Sequence, residues 1–117
     1  MKKQIIVLEN DPDICLIIEY ILKGELFNVR TYSSADDFWG DLEYCDADLL
    51  LMDISLLDES GIDLPHRLKL ANASEIPIIL MSVVYPPATT LPAQDFIRKP
   101  FDIDDLVEKV KKQLGLP

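Results

Sequence analysis

The chain has little of what redox, disulfide or metal chemistry on soft ligands requires. It holds two cysteines, Cys15 and Cys45, and a single histidine, His66, in 117 residues. The cysteines stand far apart in neither a Cys-x-x-Cys nor a Cys/His pattern, so two buried free thiols are expected. His66 has no partner pattern and reads as a surface or packing residue. Basic residues are also scarce: 11 Lys and Arg stand against 21 Asp and Glu, a net charge of −10, which argues against direct nucleic acid binding by this domain. No apolar run approaches the ~18–20 residues of a membrane span. The start, Met1-Lys2-Lys3-Gln4, leads into only four apolar residues, too short for a signal peptide. A cytoplasmic location, away from any membrane, is the expectation.

What is present is a single-domain pattern over residues 1–117 with no repeat, linker or low-complexity tract. A hydrophobic fraction of 49% is ordinary for a globular domain. Short apolar runs alternate with amphipathic stretches. Ile5-Ile6-Val7-Leu8 reads as a first strand, followed by Asp11 as N-cap and Pro12 at the first helical position. Ile14, Ile17, Ile18, Ile21 and Leu22 follow at helical spacing, with Gly24 as the stop. A second strand is expected over 27–32, then a helix capped by Ser34 that carries Phe38, Trp39 and Leu42. Leu49 to Met52 reads as a third strand, buried on both faces. Gly61 opens a third helical stretch containing Leu64, Leu68 and Leu70, with Pro65 in its first turn. Pro77 to Met81 and Asp95 to Arg98 read as the last two strands. The final helix has Asp102 as N-cap, a Phe101–Leu106 staple, and an apolar stripe of Ile103, Leu106, Val107, Val110 and Leu114. Alternation of this kind implies a parallel sheet with helices on both faces. Between the last two strands, residues 83–93 contain three prolines, each costing about 3 kcal/mol inside a helix. A loop is expected there in place of a full helix.

A parallel sheet directs the C-terminal ends of all its strands to one rim, where open α/β folds bind ligands. That rim collects Glu9, Asn10 and Asp11 from the first strand, Asp53 from the third, Ser82 from the fourth and Lys99 from the fifth. Asp53 by itself reads equally as a capping or turn-opening residue. Carboxylates brought together need a cation nearby, oxygen ligands with retained water suit Mg²⁺, and a lysine beside a carboxylate balances charge or receives a phosphoryl group. From chemistry alone the rim reads as a Mg²⁺-assisted phosphoryl acceptor.

The motifs Val7-Leu8-Glu9-Asn10-Asp11-Pro12-Asp13-Ile14, Leu51-Met52-Asp53-Ile54, Gly61, Ile79-Leu80-Met81-Ser82 and Asp95-Phe96-Ile97-Arg98-Lys99-Pro100-Phe101 stand in this order along essentially the whole chain. Together they resemble the receiver domains of bacterial two-component response regulators. The resemblance implies a doubly wound α/β fold, flavodoxin-like, with a five-stranded parallel sheet in the order 2-1-3-4-5. It implies that Asp53 accepts a phosphoryl group from a histidine kinase. It makes Glu9, Asn10, Asp53 and the Ser55 backbone carbonyl the Mg²⁺ ligands. Ser82 and Phe96 become the switch residues and Lys99 the partner of the phosphoryl group, with a cis Lys99–Pro100 bond. The implied partners are a sensor histidine kinase or phosphotransfer protein and a downstream protein target, with homodimerisation a further candidate. Phosphotransfer onto Asp53 and its hydrolysis would be self-catalysed; the domain is not expected to be a metabolic enzyme.

Three departures from the family pattern bear on function. Asn10 stands where a second acid is usual, which lowers the expected metal affinity. Val83 follows Ser82 where a small residue is typical. From Ser82 to Lys99 is 17 positions (99 − 82), shorter than expected by about one to two helical turns, so the fourth helix is expected to be short or missing. These features motivate an alternative: a degenerate receiver acting as a phosphorylation-independent protein-binding module. Enzymes on related folds fit poorly. A haloacid dehalogenase-type phosphatase wants a second aspartate where Ser55 stands. A flavodoxin wants a phosphate-binding loop where the acidic Glu9-Asn10-Asp11-Pro12 stands.

Overall fold

Five strands form because five short runs carry apolar residues on both faces. They are β1 (Gln4–Leu8), β2 (Asn28–Tyr32), β3 (Leu49–Asp53), β4 (Ile78–Ser82) and β5 (Asp95–Arg98). The computed structural model describes residues 2–42, 46–59, 64–84 and 93–117. All strands are parallel in one sheet, in the order β2-β1-β3-β4-β5. This is the predicted order. The register sets Leu8 beside Met52 and Asp53 beside Met81, so the strand ends are level at one rim.

Alternation of side chains splits the core in two. Ile6, Leu8, Leu50, Met52 and Leu80 face α2 (Ala35–Leu42), which contributes Phe38, Trp39 and Leu42, and α4 (Leu64–Leu70), which contributes Leu68. Ile5, Val7, Leu49, Leu51, Ile79 and Met81 face α1 (Pro12–Gly24), through Ile18 and Leu22, and α5 (Ile103–Gln113), through Leu106 and Val110. β3 and β4 are buried at every position, which is why their sequences do not alternate.

The predicted caps are present. Asp11 accepts the amides of Asp13 (2.9 Å) and Ile14 (3.3 Å), Ser34 accepts that of Asp37 (3.2 Å), and Asp102 accepts that of Asp104 (2.8 Å). The helix ends differ from expectation. Gly24 is the last residue of α1, and Leu26 takes the left-handed conformation (φ 68°). The amides of Leu26 and Phe27 bond back to the carbonyls of Lys23 and Leu22, a Schellman ending on a non-glycine residue. Asn72 (φ 56°) closes α4 in the same way, and Gly115 (φ 69°) closes α5.

Other differences concern the helices. A short helix, α3 (Ile54–Glu59), follows β3 directly, whereas the sequence suggested helix only from Gly61, which lies outside the described residues. Ile17, Leu70 and Ile103 were placed on core-facing stripes but are largely exposed; the apolar stripe on each of these helices is wider than the neighbouring elements cover. Of the loop expected over 83–93, residues 83, 84 and 93 are described and non-helical, and residues 85–92 lie outside the description. Among the described residues no helix separates β4 from β5. Cys15 is half-buried and free, less enclosed than expected, and Cys45 lies outside the described residues. His66 is exposed, and Trp39 is packed in the core.

Candidate functional site

Four of the five strands, all but β2, each deliver one component to the rim. Glu9 directly follows β1 and is wholly buried; β3 ends in Asp53 and β4 in Ser82, each 5% exposed. Lys99 follows β5, with its side chain 12% exposed. Its ammonium donates to Glu9 Oε2 and to Asp53 Oδ2, both at 2.7 Å. The peptide bond between Lys99 and Pro100 is cis, as the resemblance implied.

The remaining bonds orient the two carboxylates. Glu9 Oε1 accepts the Asp11 amide at 3.2 Å. Asp53 Oδ1 accepts two bonds from Ser55, one from its amide at 2.9 Å and one from its hydroxyl at 2.7 Å. The amide bond is the N-cap geometry of α3. Asp53 is therefore a capping residue and a buried rim carboxylate at once; the two readings of the sequence do not exclude each other. Ser82 Oγ accepts the Val84 amide at 3.1 Å, a bond that does not use its own hydroxyl hydrogen. Val83 is exposed beside it. Phe96 is partly buried on β5 against the α2 side of the core. Asn10 is exposed next to Glu9.

The electrostatics follow from burial of two acids around one base. Burial pushes the Asp53 carboxyl up, but the bonds from Lys99 and Ser55 outweigh it and hold Asp53 below the usual carboxylate range. Burial, reinforced by neighbouring Asp53, carries Glu9 above its ordinary value against the opposing pull of Lys99. Burial pulls the Lys99 ammonium down, yet its bonds to Asp53 and Glu9 more than compensate and raise it. The Cys15 thiol donates to the Glu9 carbonyl at 3.0 Å. Burial and the charges of Glu9, Asp11 and Glu19 raise it, so it persists as a thiol.

The rim carboxylates of Glu9 and Asp53 are hard oxygen donors, and Asn10 and Ser55, next to them in sequence, carry neutral oxygens of the same kind. Among the described residues no group of three or more His, Cys, Asp or Glu is gathered as a metal cage. Two carboxylates with neutral oxygens suit a cation that retains several waters, which is the behaviour of Mg²⁺ and not of softer metals. The sequence argument assembled Glu9, Asp53, Ser82 and Lys99 correctly as neighbouring strand ends. It missed the side chain of Ser55, whose signal is a hydroxyl residue two positions after an aspartate, a common turn-forming pair.

Residues 5–111 match the family model of the response regulator receiver domain, and the chain belongs to that family. It is thus a receiver domain with a phosphoacceptor role in two-component signalling. The DNA-binding transcriptional regulator NtrC of Rhizobium meliloti is 29% identical, with 97% of this chain and 24% of that protein covered. The cell cycle transcriptional regulator CtrA of Caulobacter vibrioides is 30% identical, with 92% of this chain and 48% of that protein covered. This chain therefore spans about a quarter to a half of these curated relatives. Among solved structures, the receiver domain of the sensor histidine kinase PA1611 of Pseudomonas aeruginosa superposes with a TM-score of 0.85 at 20% identity, covering 98% of this chain and 99% of that one. It carries a magnesium ion in its active site cleft. No helix among the described residues is long and apolar enough to cross a membrane.

Proposed function

We propose that Asp53 is the residue phosphorylated, with a sensor histidine kinase or a phosphotransfer protein as donor. The observation that carries this reading is the Lys99 ammonium held 2.7 Å from both Glu9 and Asp53. A buried carboxylate kept ionised by a lysine is a ready nucleophile. The same lysine can stay with the negative charge as it moves onto the arriving phosphoryl group. Ser82, at the end of the adjacent strand, supplies a hydroxyl that can donate to a phosphoryl oxygen. Phe96 on β5 is the aromatic that follows its movement. The intact ion-pair cluster favours this reading over a phosphorylation-independent binding module.

Glu9, Asn10, Asp53 and the Ser55 carbonyl are the residues that would hold Mg²⁺, as the cleft of the PA1611 receiver does. When bound, the cation supplies neutralisation of negative charge on the phosphoryl oxygens. The output passes through protein–protein contact with a downstream target in the cytoplasm; a net charge of −10 disfavours nucleic acid contact by this domain. The domain's own chemistry is limited to receiving the phosphoryl group and releasing it by hydrolysis.

Intact mass after incubation with acetyl phosphate and Mg²⁺ tests the assignment. Wild type gains one phosphoryl group and Asp53→Asn gains none. A gain in Asp53→Asn, or none in wild type with either small donors or a kinase, refutes it. Asn10 supplies a second expectation. One carboxylate about 4 Å from a divalent cation contributes roughly 2 kcal/mol even at the dielectric constant of water. Dehydration of the added carboxylate on binding offsets part of this. Asn10→Asp therefore tightens Mg²⁺ binding by about tenfold in a calorimetric titration.

A further inference from the structure

Helices α1 and α5 lie side by side on one face of the sheet and bury Ile18, Leu22, Leu106 and Val110 against it. Their outer side is also apolar. Tyr20 is 83% exposed and Leu16 66%, and Ile17, Ile103 and Leu116 are exposed with them along one open groove between the helices. Exposed apolar side chains scattered singly are ordinary, but a contiguous patch marks an interaction surface. The groove encloses about 1620 Å³, more than the roughly 300–1,000 Å³ of a small-molecule cleft, which favours a macromolecular occupant.

The charges of the groove select that occupant. Four acids and three lysines line it, so it is close to neutral on a chain of net charge −10. Two copies of the chain therefore repel one another least through this face. The charges are also separated along it. Both helices start near the rim and run back from it, and Lys111 and Glu25 join their far ends at 3.0 Å. Asp104 stands in the first turn of α5 and Lys112 in its last. Neither makes an ion pair among the described residues.

We infer that the α1–α5 face is the interface of a two-fold homodimer in which the helices of the two copies run antiparallel. A two-fold interface uses the same patch on both copies, so the patch must complement itself. A groove acidic at one end and basic at the other does so when the axis crosses the helices. Each α5 then faces the other, Asp104 of one copy meets Lys112 of the second, and Leu16, Ile17 and Tyr20 of the two α1 helices close over each other. The parallel arrangement would oppose like charges. Helices of 13 and 11 residues, each about 10 Å wide and about 15–20 Å long, give a footprint at the low end of specific interfaces, and a dissociation constant in the micromolar range is expected. The interface uses no rim residue and does not depend on Asp53 being the phosphoacceptor.

Sedimentation velocity of the unphosphorylated chain, from about 1 μM to about 1 mM, tests the inference. Wild type passes from monomer to dimer within this range. Tyr20→Lys sets a charge within the apolar contact and stays monomeric. Asp104→Lys or Lys112→Glu alone weakens the dimer about tenfold, because each turns two exposed ion pairs into like-charge contacts. The double variant Asp104→Lys/Lys112→Glu reverses both ends together and restores the wild-type affinity. All three positions are exposed, so melting temperatures stay within a few degrees of wild type. Wild type that remains monomeric throughout overturns the inference and leaves the groove to an unlike protein partner. A dimer that survives Tyr20→Lys uses another face and overturns it as well. A double variant that stays as weak as the single ones overturns the antiparallel arrangement.

Discussion

Lys99→Met lowers the stability of the fold by about 3–5 kcal/mol at neutral pH, the usual cost of removing one partner from a buried charge cluster. The ammonium is the cation shared by Glu9 and Asp53, at 2.7 Å from each, and both acids are almost fully buried. Methionine preserves most of the packing volume, so the loss reports charge. Without Lys99, burial dominates both carboxyls and raises their folded-state values above the unfolded ones, which lie near pH 4. A raised acid disfavours folding once the pH exceeds the unfolded value, and the penalty is complete above the folded value. Acidification from neutrality towards about pH 5 therefore lets the variant's carboxyls take up protons in the folded state, and its stability recovers relative to wild type. In wild type Asp53 lies below the ordinary range. Its contribution persists through that interval and is lost only as the pH falls further, through its lowered value. Glu9, already raised in wild type, is relieved by acidification in both proteins, so the narrowing of the gap reports chiefly Asp53. Urea denaturation of both proteins across this interval measures the difference. A gap that stays constant or widens on acidification contradicts the account, because it would place the loss in packing.

The parts of the fold legible in the sequence are those governed by local rules. Ile5–Leu8, Leu49–Met52 and Ile78–Met81 are too continuously apolar for surface strands, and they lie at the centre of the sheet. Asp11-Pro12 and Asp102 announced two helix starts, and their caps have the expected bonds. The rim constellation followed from strand polarity alone. What was not legible depends on neighbours. α3 has no separate cap residue in the sequence because Asp53, already spent as a strand end, performs that task. Leu26 and Asn72 terminate helices in a conformation that sequence rules reserve mainly for glycine. Ile17 and Ile103 satisfy the helical period, yet only the geometry of α1 beside α5 decides that Ile18 and Leu106 are buried and these two are not.

Phe38→Ala tests how the core beneath the rim supports the site. Phe38 is fully buried, with its ring edge-on to Tyr32 at 5.9 Å and to Trp39 at 4.8 Å between centroids. It packs in the cluster of Leu8, Leu50, Met52 and Leu80, on the strands that carry Glu9, Asp53 and Ser82 at their ends. Truncating a buried phenylalanine removes its transfer energy and leaves a cavity, a loss of about 3–5 kcal/mol. Against a typical total of about 5–15 kcal/mol, that is a large share, and it lowers the melting temperature by roughly 12–25 °C. The ion pairs of the rim are made by Lys99 from beyond the far edge of the sheet, outside this cluster. The folded fraction therefore keeps its Glu9–Lys99–Asp53 geometry, and acetyl phosphate modifies it at a wild-type rate below the transition. Calorimetry together with intact mass at low temperature separates the two effects. A melting temperature within a few degrees of wild type would mean that the cavity collapses. A phosphorylation rate that falls with the stability would mean that α2 positions the site, in place of the strand ends.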